Sequence, residues 1–151
     1  MAYDRTGELT ALAAKLSQMP EQQAREAVST SYGAYLNLVF RSLKCWRRGD
    51  ELGARLLAAQ SVDALMQTLF ALDRAWAPLS SRLFLRLDKL TGQGWQPGEL
   101  RAILLDLLTT SDPRRQQAYA RRVDTLMAAR GYGHVYDGWK EQIDRALAWS
   151  F

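Results

Sequence analysis

Histidine and cysteine are almost missing from this chain: His134 and Cys45 are the only ones. A single cysteine excludes an intrachain disulfide and is compatible with a reducing compartment. Cys45, between Lys44 and Trp46, reads as a small helix residue rather than a nucleophile. A single histidine excludes a metal site or catalytic triad built on several histidines. The aspartates, among them Asp63, Asp73, Asp88, Asp106, Asp124, Asp137 and Asp144, are scattered, and no two form Asp-x-Asp. Metal-dependent phosphoryl or nucleotidyl transfer draws on clustered carboxylates of that kind. A glycine-rich phosphate loop ending in lysine is also lacking. No apolar run approaches the roughly 18 to 20 residues that span a bilayer. The opening MAYDRTGELTA has neither the basic region nor the apolar stretch of a signal peptide. The expectation is a soluble, cytoplasmic protein with no membrane partner.

What is present suits one folded domain over residues 1–151. Of the 151 residues, 48% are hydrophobic, enough for a core, and a domain of this length buries about 70% of its unfolded surface. The 20 cations against 16 anions give a net charge of +4. That excess favours anionic partners without identifying them.

The pattern is helical almost throughout, and only Gly131–Asp137 alternates as a strand would. Leu9, Leu12, Ala13 and Leu16 predict a first helix over about Thr6 to Gln18. Pro20 suits the first turn of a second helix that runs to about Arg48 and stops at Gly49. Asp50 offers a cap for a third helix, running to about Trp76 with Leu52, Leu56, Leu65, Leu69 and Leu72 facing inward and Pro78 ending it. Ser80 or Ser81 caps a short helix through Leu90. Gln96, Pro97 and Glu99 read as cap, first position and third position of a helix to about Thr109. Asp112 and Pro113 repeat that signal for a helix ending at Gly131. Asp137 caps the last helix, which carries Trp139, Ile143 and Leu147. Short connections imply antiparallel neighbours, so the predicted fold is all-α, an antiparallel bundle of five to seven helices.

One face of the second helix carries the strongest functional signal. Asn37, Arg41, Lys44 and Arg48 recur at i, i+4, i+7 and i+11, opposite the apolar Leu36, Val39, Phe40 and Leu43. Such a row of cations suits a polyanion such as a nucleoside triphosphate, and equally suits plain solvent. Arg47 and Arg55 lie near it. Gln60, Ser61 and Asp63 add polar groups in an otherwise apolar region; they could line a substrate cleft or serve local helix contacts.

Three further features carry weaker signals. Arg130 and His134, near a glycine-rich turn, suit phosphate binding or RNA cleavage, or simply a helix end. Arg114, Arg115, Arg121 and Arg122 form a second basic patch. Tyr119 is the one stacking residue there, which makes a solvated helix face the simpler reading and nucleic acid an unlikely partner. Trp76, Trp95, Trp139 and Trp149 read as core or interface anchors.

Three segments together resemble a known family. YDRTGELTALAAKL looks like the exit from the last strand of a nucleotidyltransferase domain. The stretch from YGAYLNLVF through RSLKCWRRGD and AAQSV to WAPL, and then RGYGHVYDGWKEQI, resemble the helical C-terminal domain of bacterial aminoglycoside-type (kanamycin-type) nucleotidyltransferases. The resemblance implies a domain excised from a longer two-part enzyme. The N-terminal α/β part would carry a Gly-Ser motif and metal-binding carboxylates, with Mg and ATP. The helical part would close the cleft, help bind acceptor and nucleotide, and form a homodimer. By position, Arg41 and Lys44 would face the triphosphate. The chain lacks both catalytic motifs, so it is expected to bind no cofactor by itself and to be inactive alone. Asn37 and Gln60 stand where a carboxylate base would be useful, and neither can act as one. Two other readings remain open: a purely structural dimerisation bundle, and an RNA-binding or ribonuclease module of the HEPN type, whose arginine-to-histidine spacing is longer than that of Arg130 and His134.

Overall fold

The structure is a computed structural model, and it describes Gly7, Glu8, Thr10 and residues 17–78 and 83–151. The expected first helix and the Ser80 or Ser81 cap fall largely or wholly outside the described residues. The protein is all-α, with five helices and no strand among the described residues. In chain order they are α1 (Glu21–Arg47), α2 (Glu51–Leu72), α3 (Glu99–Thr109), α4 (Pro113–Ala129) and α5 (Lys140–Leu147).

The long pair α1 and α2 is the frame. Pro20 precedes the first turn of α1, and its carbonyl accepts the Ala24 N–H at 2.8 Å. Gly49, at φ 74°, takes the left-handed conformation that ends the helix. Asp50 then caps α2, its Oδ1 accepting the Gly53 N–H at 2.9 Å. Only residues 48–50 join the two helices, so they fold back antiparallel. Hydrogen bonds fix both ends of the hairpin. Near the turn, the Ser42 hydroxyl donates to the Ala54 carbonyl at 2.8 Å. At the far end, Met19 N–H donates to the Arg74 carbonyl at 2.7 Å, and Arg74 Nε returns to the Met19 carbonyl at 3.1 Å.

Two expectations about α2 are corrected. It ends at Leu72 rather than near Trp76, because Arg74 turns left-handed at φ 55° and Ala75 N–H bonds back to the Phe70 carbonyl at 2.9 Å. Leu52 and Leu56 face outward, 71% and 56% exposed. The inward stripe is Ala54, Ala58, Ser61, Leu65 and Leu69, all at most 1% exposed, and Leu52 and Leu56 sit on the opposite side of a 3.6-residue period. Small side chains at 54, 58 and 61 let α1 approach closely; the large core residues Tyr32, Tyr35, Leu36 and Leu43 lie on α1 instead.

The segment after α2 is short-ranged structure: one helical turn, Phe84–Leu87, and a 3₁₀ turn, Thr91–Gln93. Among the described residues, the helix expected through Leu90 is a single turn. Buried Gln93 fastens this segment to α2, its Nε2 donating to the Leu69 carbonyl at 2.6 Å while its Oε1 accepts from Trp95 Nε1 at 3.2 Å. α3 begins two residues later than Pro97 suggests, because Gly98 adopts φ 76°; the Glu99 carboxylate still reaches back to the Gln96 N–H at 2.8 Å. Asp112 and Pro113 start α4 as expected, with Asp112 Oδ1 accepting the Arg115 N–H at 3.0 Å.

The alternating Gly131–Asp137 stretch is not a strand. Residues Gly133–Trp139 form a 3₁₀ segment, and α5 begins after Trp139 with no side-chain cap, so Asp137 does not cap it. The partner of this segment is the half-buried Asp124 on α4. Its Oδ1 accepts both the Tyr32 hydroxyl at 2.7 Å and the Tyr136 hydroxyl at 2.6 Å. One carboxylate thereby ties α1, α4 and the 3₁₀ segment together. Burial, followed by the bond to Asp124, pushes the Tyr136 phenol up to about 12 and raises Tyr32 further. No helix among the described residues is long and apolar enough to cross a membrane.

Candidate functional site

The C-terminal end of α1 gathers cations for a helical reason and holds them for an aromatic one. Leu36, Val39 and Leu43 are at most 2% exposed against the core, so the 3.6-residue period turns Asn37, Arg41, Lys44 and Arg48 outward. The negative end of the helix dipole favours cations in this last turn, which holds Lys44 and Arg47. Beyond α5 the chain returns to this end. Gln117 Nε2 on α4 donates to the carbonyls of Ala146 at 3.0 Å and Trp149 at 2.9 Å. Arg114 Nε donates to the Phe151 carbonyl at 2.7 Å. The tail so pinned places the Trp149 ring 6.2 Å from that of Phe40.

The result is an aromatic-floored cationic notch. The Arg47 guanidinium lies 4.4 Å from the Trp149 ring centre, and the Lys44 ammonium 5.3 Å from that of Phe40. Lys44, Arg47, Arg48 and Trp149 line an open cavity of about 300 Å³. Among the described residues none of these three cations has a carboxylate partner. Uncompensated positive charge on a partly apolar floor can take a polyanion with an aromatic part, the phosphates on the cations and a flat ring over Trp149.

The expected site residues separate into three groups. Lys44 and Arg48 meet in the notch, joined by Arg47. Arg41 and Asn37 are exposed on the same helix but do not line the notch. Of the residues expected in a cleft between α1 and α2, Ser61 is fully buried and donates to the Ala58 carbonyl of its own helix at 2.6 Å. Arg55 is engaged by Glu51 at 2.9 Å and by the Thr109 carbonyl at 2.9 Å. Gln60 and Asp63 are exposed. The close packing of α1 on α2 brings no such cleft together, since the space is occupied by the small-residue stripe.

The four arginines of the second basic patch are exposed, as expected of a solvated face, and each also makes a tie. Arg115 meets Asp106 at 2.7 Å, Arg122 meets Glu99 and lies 4.4 Å from the Trp95 ring centre, and Arg121 donates to the Leu147 carbonyl. With Arg114 on Phe151, each arginine links α4 to another element. Asp106 also accepts from Tyr119 at 2.7 Å and Thr110 at 2.9 Å. Burial pushes the Asp106 carboxyl up, but these hydrogen bonds and Arg115 outweigh it, and its pKa is lowered.

Sequence reasoning set Arg47 beside the basic row but did not foresee its meeting with Trp149. The only available signal was their aromatic and cationic character; their meeting depends on the path of the tail. Among the described residues, no group of three His, Cys, Asp or Glu side chains could hold a metal ion.

The fold and notch define an all-α domain with a cationic, aromatic-floored surface. Residues 1–81, more than half of the chain, match the family described as Domain of unknown function (DUF4037), and the chain belongs to that family. No curated protein and no solved structure matches it.

Proposed function

We propose that this is an accessory helical domain of a cytoplasmic nucleotidyltransferase, an enzyme that moves a nucleoside monophosphate from a nucleoside triphosphate to an acceptor. The domain binds substrate and supports a homodimer. An N-terminal nucleotidyltransferase domain is its partner and supplies the catalytic carboxylates. The observation that carries this reading is the notch: Lys44, Arg47 and Arg48 stand without carboxylate partners, Arg47 over the Trp149 ring and Lys44 over that of Phe40. Their charges would offset the charge of the triphosphate, and Arg41, one turn earlier on the same helix, would add to the field along its approach. Magnesium finds no ligand cluster among the described residues, so in this reading it belongs to the partner domain.

Calorimetric titration of ATP with magnesium tests the assignment. Lys44→Gln combined with Arg48→Gln is expected to weaken binding about tenfold or more, a loss of roughly 1.4 kcal/mol or more. Both side chains lie at the surface end of α1, so the helical circular dichroism should not change. Unchanged affinity removes the phosphate-facing role. Failure to bind even with the catalytic domain supplied leaves the dimerisation bundle, which the exposed Leu52 and Leu56 of α2 and Leu105 and Leu108 of α3 favour.

A further inference from the structure

The opposite end of α1 holds a second cationic cleft that the notch does not explain. Arg25 and Ser29 on α1, Arg130 and Gly131 at the end of α4, and Tyr132 and His134 at the 3₁₀ segment line a cavity of about 490 Å³. Residues more than a hundred positions apart meet there because Asp124 binds Tyr32 and Tyr136 together, which seats the end of α4 and the following turn on α1. Gly131 reverses the chain at φ 84°, a conformation that favours glycine.

We infer that this cleft binds a small phosphomonoester, its phosphate between Arg25, Arg130 and His134 and its organic body against Tyr132. Each arginine is held by one bond and keeps donors to spare. Arg130 Nη2 donates to the Gly92 carbonyl at 2.7 Å, and Arg25 Nη2 meets Glu21 at 2.6 Å. A guanidinium has five N–H donors, so four remain on each in a fork that matches phosphate oxygens. Ser29, Tyr132 and His134 make no side-chain hydrogen bond among the described residues, and their O–H and N–H groups add further donors. No carboxylate lines the cleft. Glu21 is the near exception; it sits on Arg25, is 63% exposed, and is well screened by water.

The size of the cleft selects among phosphates. At about 490 Å³ it lies in the range of small-molecule sites and exceeds what a bare phosphate fills, and the half-buried Tyr132 supplies a ring for an organic group. A nucleic-acid track needs an extended groove with several stacking rings, and here there is one. The cleft is independent of the nucleotide notch. Arg25 and Lys44 are 19 residues apart on one helix, roughly 28 Å at 1.5 Å per residue, so one small ligand cannot occupy both.

The experiment is titration of the chain with ribose 5-phosphate, inorganic phosphate and ribose, followed by amide chemical shifts. Ribose 5-phosphate, which has no flat ring to lie over Trp149, is expected to move the Gly131 and Gly133 amides and to leave Gly49, beside the other site, in place. Ribose is expected not to bind. Arg130→Gln and Arg25→Gln should each raise the ribose 5-phosphate Kd at least tenfold. Arg25→Gln guards against a folding artefact, since Arg25 bonds only to exposed Glu21. Three results each overturn the inference: Kd values within twofold in both arginine variants, shifts centred on Gly49, or equal binding by an RNA oligonucleotide without a terminal phosphate.

Discussion

At the scale of single residues, carboxylates decide how this bundle is joined. Asp124 takes two tyrosine hydroxyls on one oxygen, and Asp106 takes Tyr119, Thr110 and Arg115. Neither role is visible in the sequence, where both read as scattered acids without a motif. The Asp106 carboxyl is pushed up by burial and pulled down further by its three donors, so its pKa in the folded chain is lowered. In the unfolded chain an aspartate titrates near 3.9. A lowered folded value means that Asp106 contributes its stability above that pH and loses it as pH falls through the folded value. Asp106→Asn is therefore expected to destabilise the protein at pH 7 and to flatten the acid limb of its stability curve. Urea denaturation of both proteins at pH 7, 4 and 2.5 measures this. Parallel curves for the two proteins would show that Asp106 does not titrate differently on folding.

At the scale of helices, the sequence was legible where punctuation is chemical and illegible where packing chooses a face. Gly49, Asp50, Asp112 and Pro113 mark boundaries that the structure keeps, because caps and left-handed turns are local. The inward face of α2 could not be read the same way. Leu52 and Leu56 advertise an apolar stripe, yet Ala54, Ala58 and Ser61 are the residues against α1. A stripe of small residues is set by the close approach of a partner helix, which is tertiary information. The same limit applied to the functional surface: the period of α1 predicted its row of cations, but not the tail that sets Trp149 under Arg47. The packing argument has a direct consequence. Ala58→Leu should cost about 1–3 kcal/mol by overpacking the α1–α2 contact, whereas Leu56→Gln should stay within about 0.5 kcal/mol. Denaturant midpoints of the two variants test it, and a reversed order would mean that α2 presents its other face to α1.

At the scale of the whole molecule, the two ends of α1 carry charge and the flank made by α2 and α3 carries exposed leucine. Leu105 and Leu108 on α3 are 50% and 52% exposed and edge a cavity of about 210 Å³ shared with Val62, Leu87 and Leu104. Arg55 on α2 reaches the Thr109 carbonyl at 2.9 Å, which draws the outward Leu52 and Leu56 toward the same flank. Apolar surface gathered on one flank is the kind that associates; in the proposed homodimer it would lie on a two-fold axis, so that each substitution would act twice. Covering a half-exposed leucine is worth roughly 1 kcal/mol. Leu105 and Leu108 from two copies then contribute roughly 4 kcal/mol, or about three decades in the dissociation constant. Sedimentation equilibrium should show a 17.1 kDa chain whose average mass approaches the dimer as concentration rises. Leu105→Glu with Leu108→Glu should remain a monomer with unchanged helicity. If the variant dimerises as tightly as the parent, this flank is not the contact. If the parent is monomeric throughout, the leucines are not a self-contact, and the proposed nucleotidyltransferase domain becomes the surface to test against them.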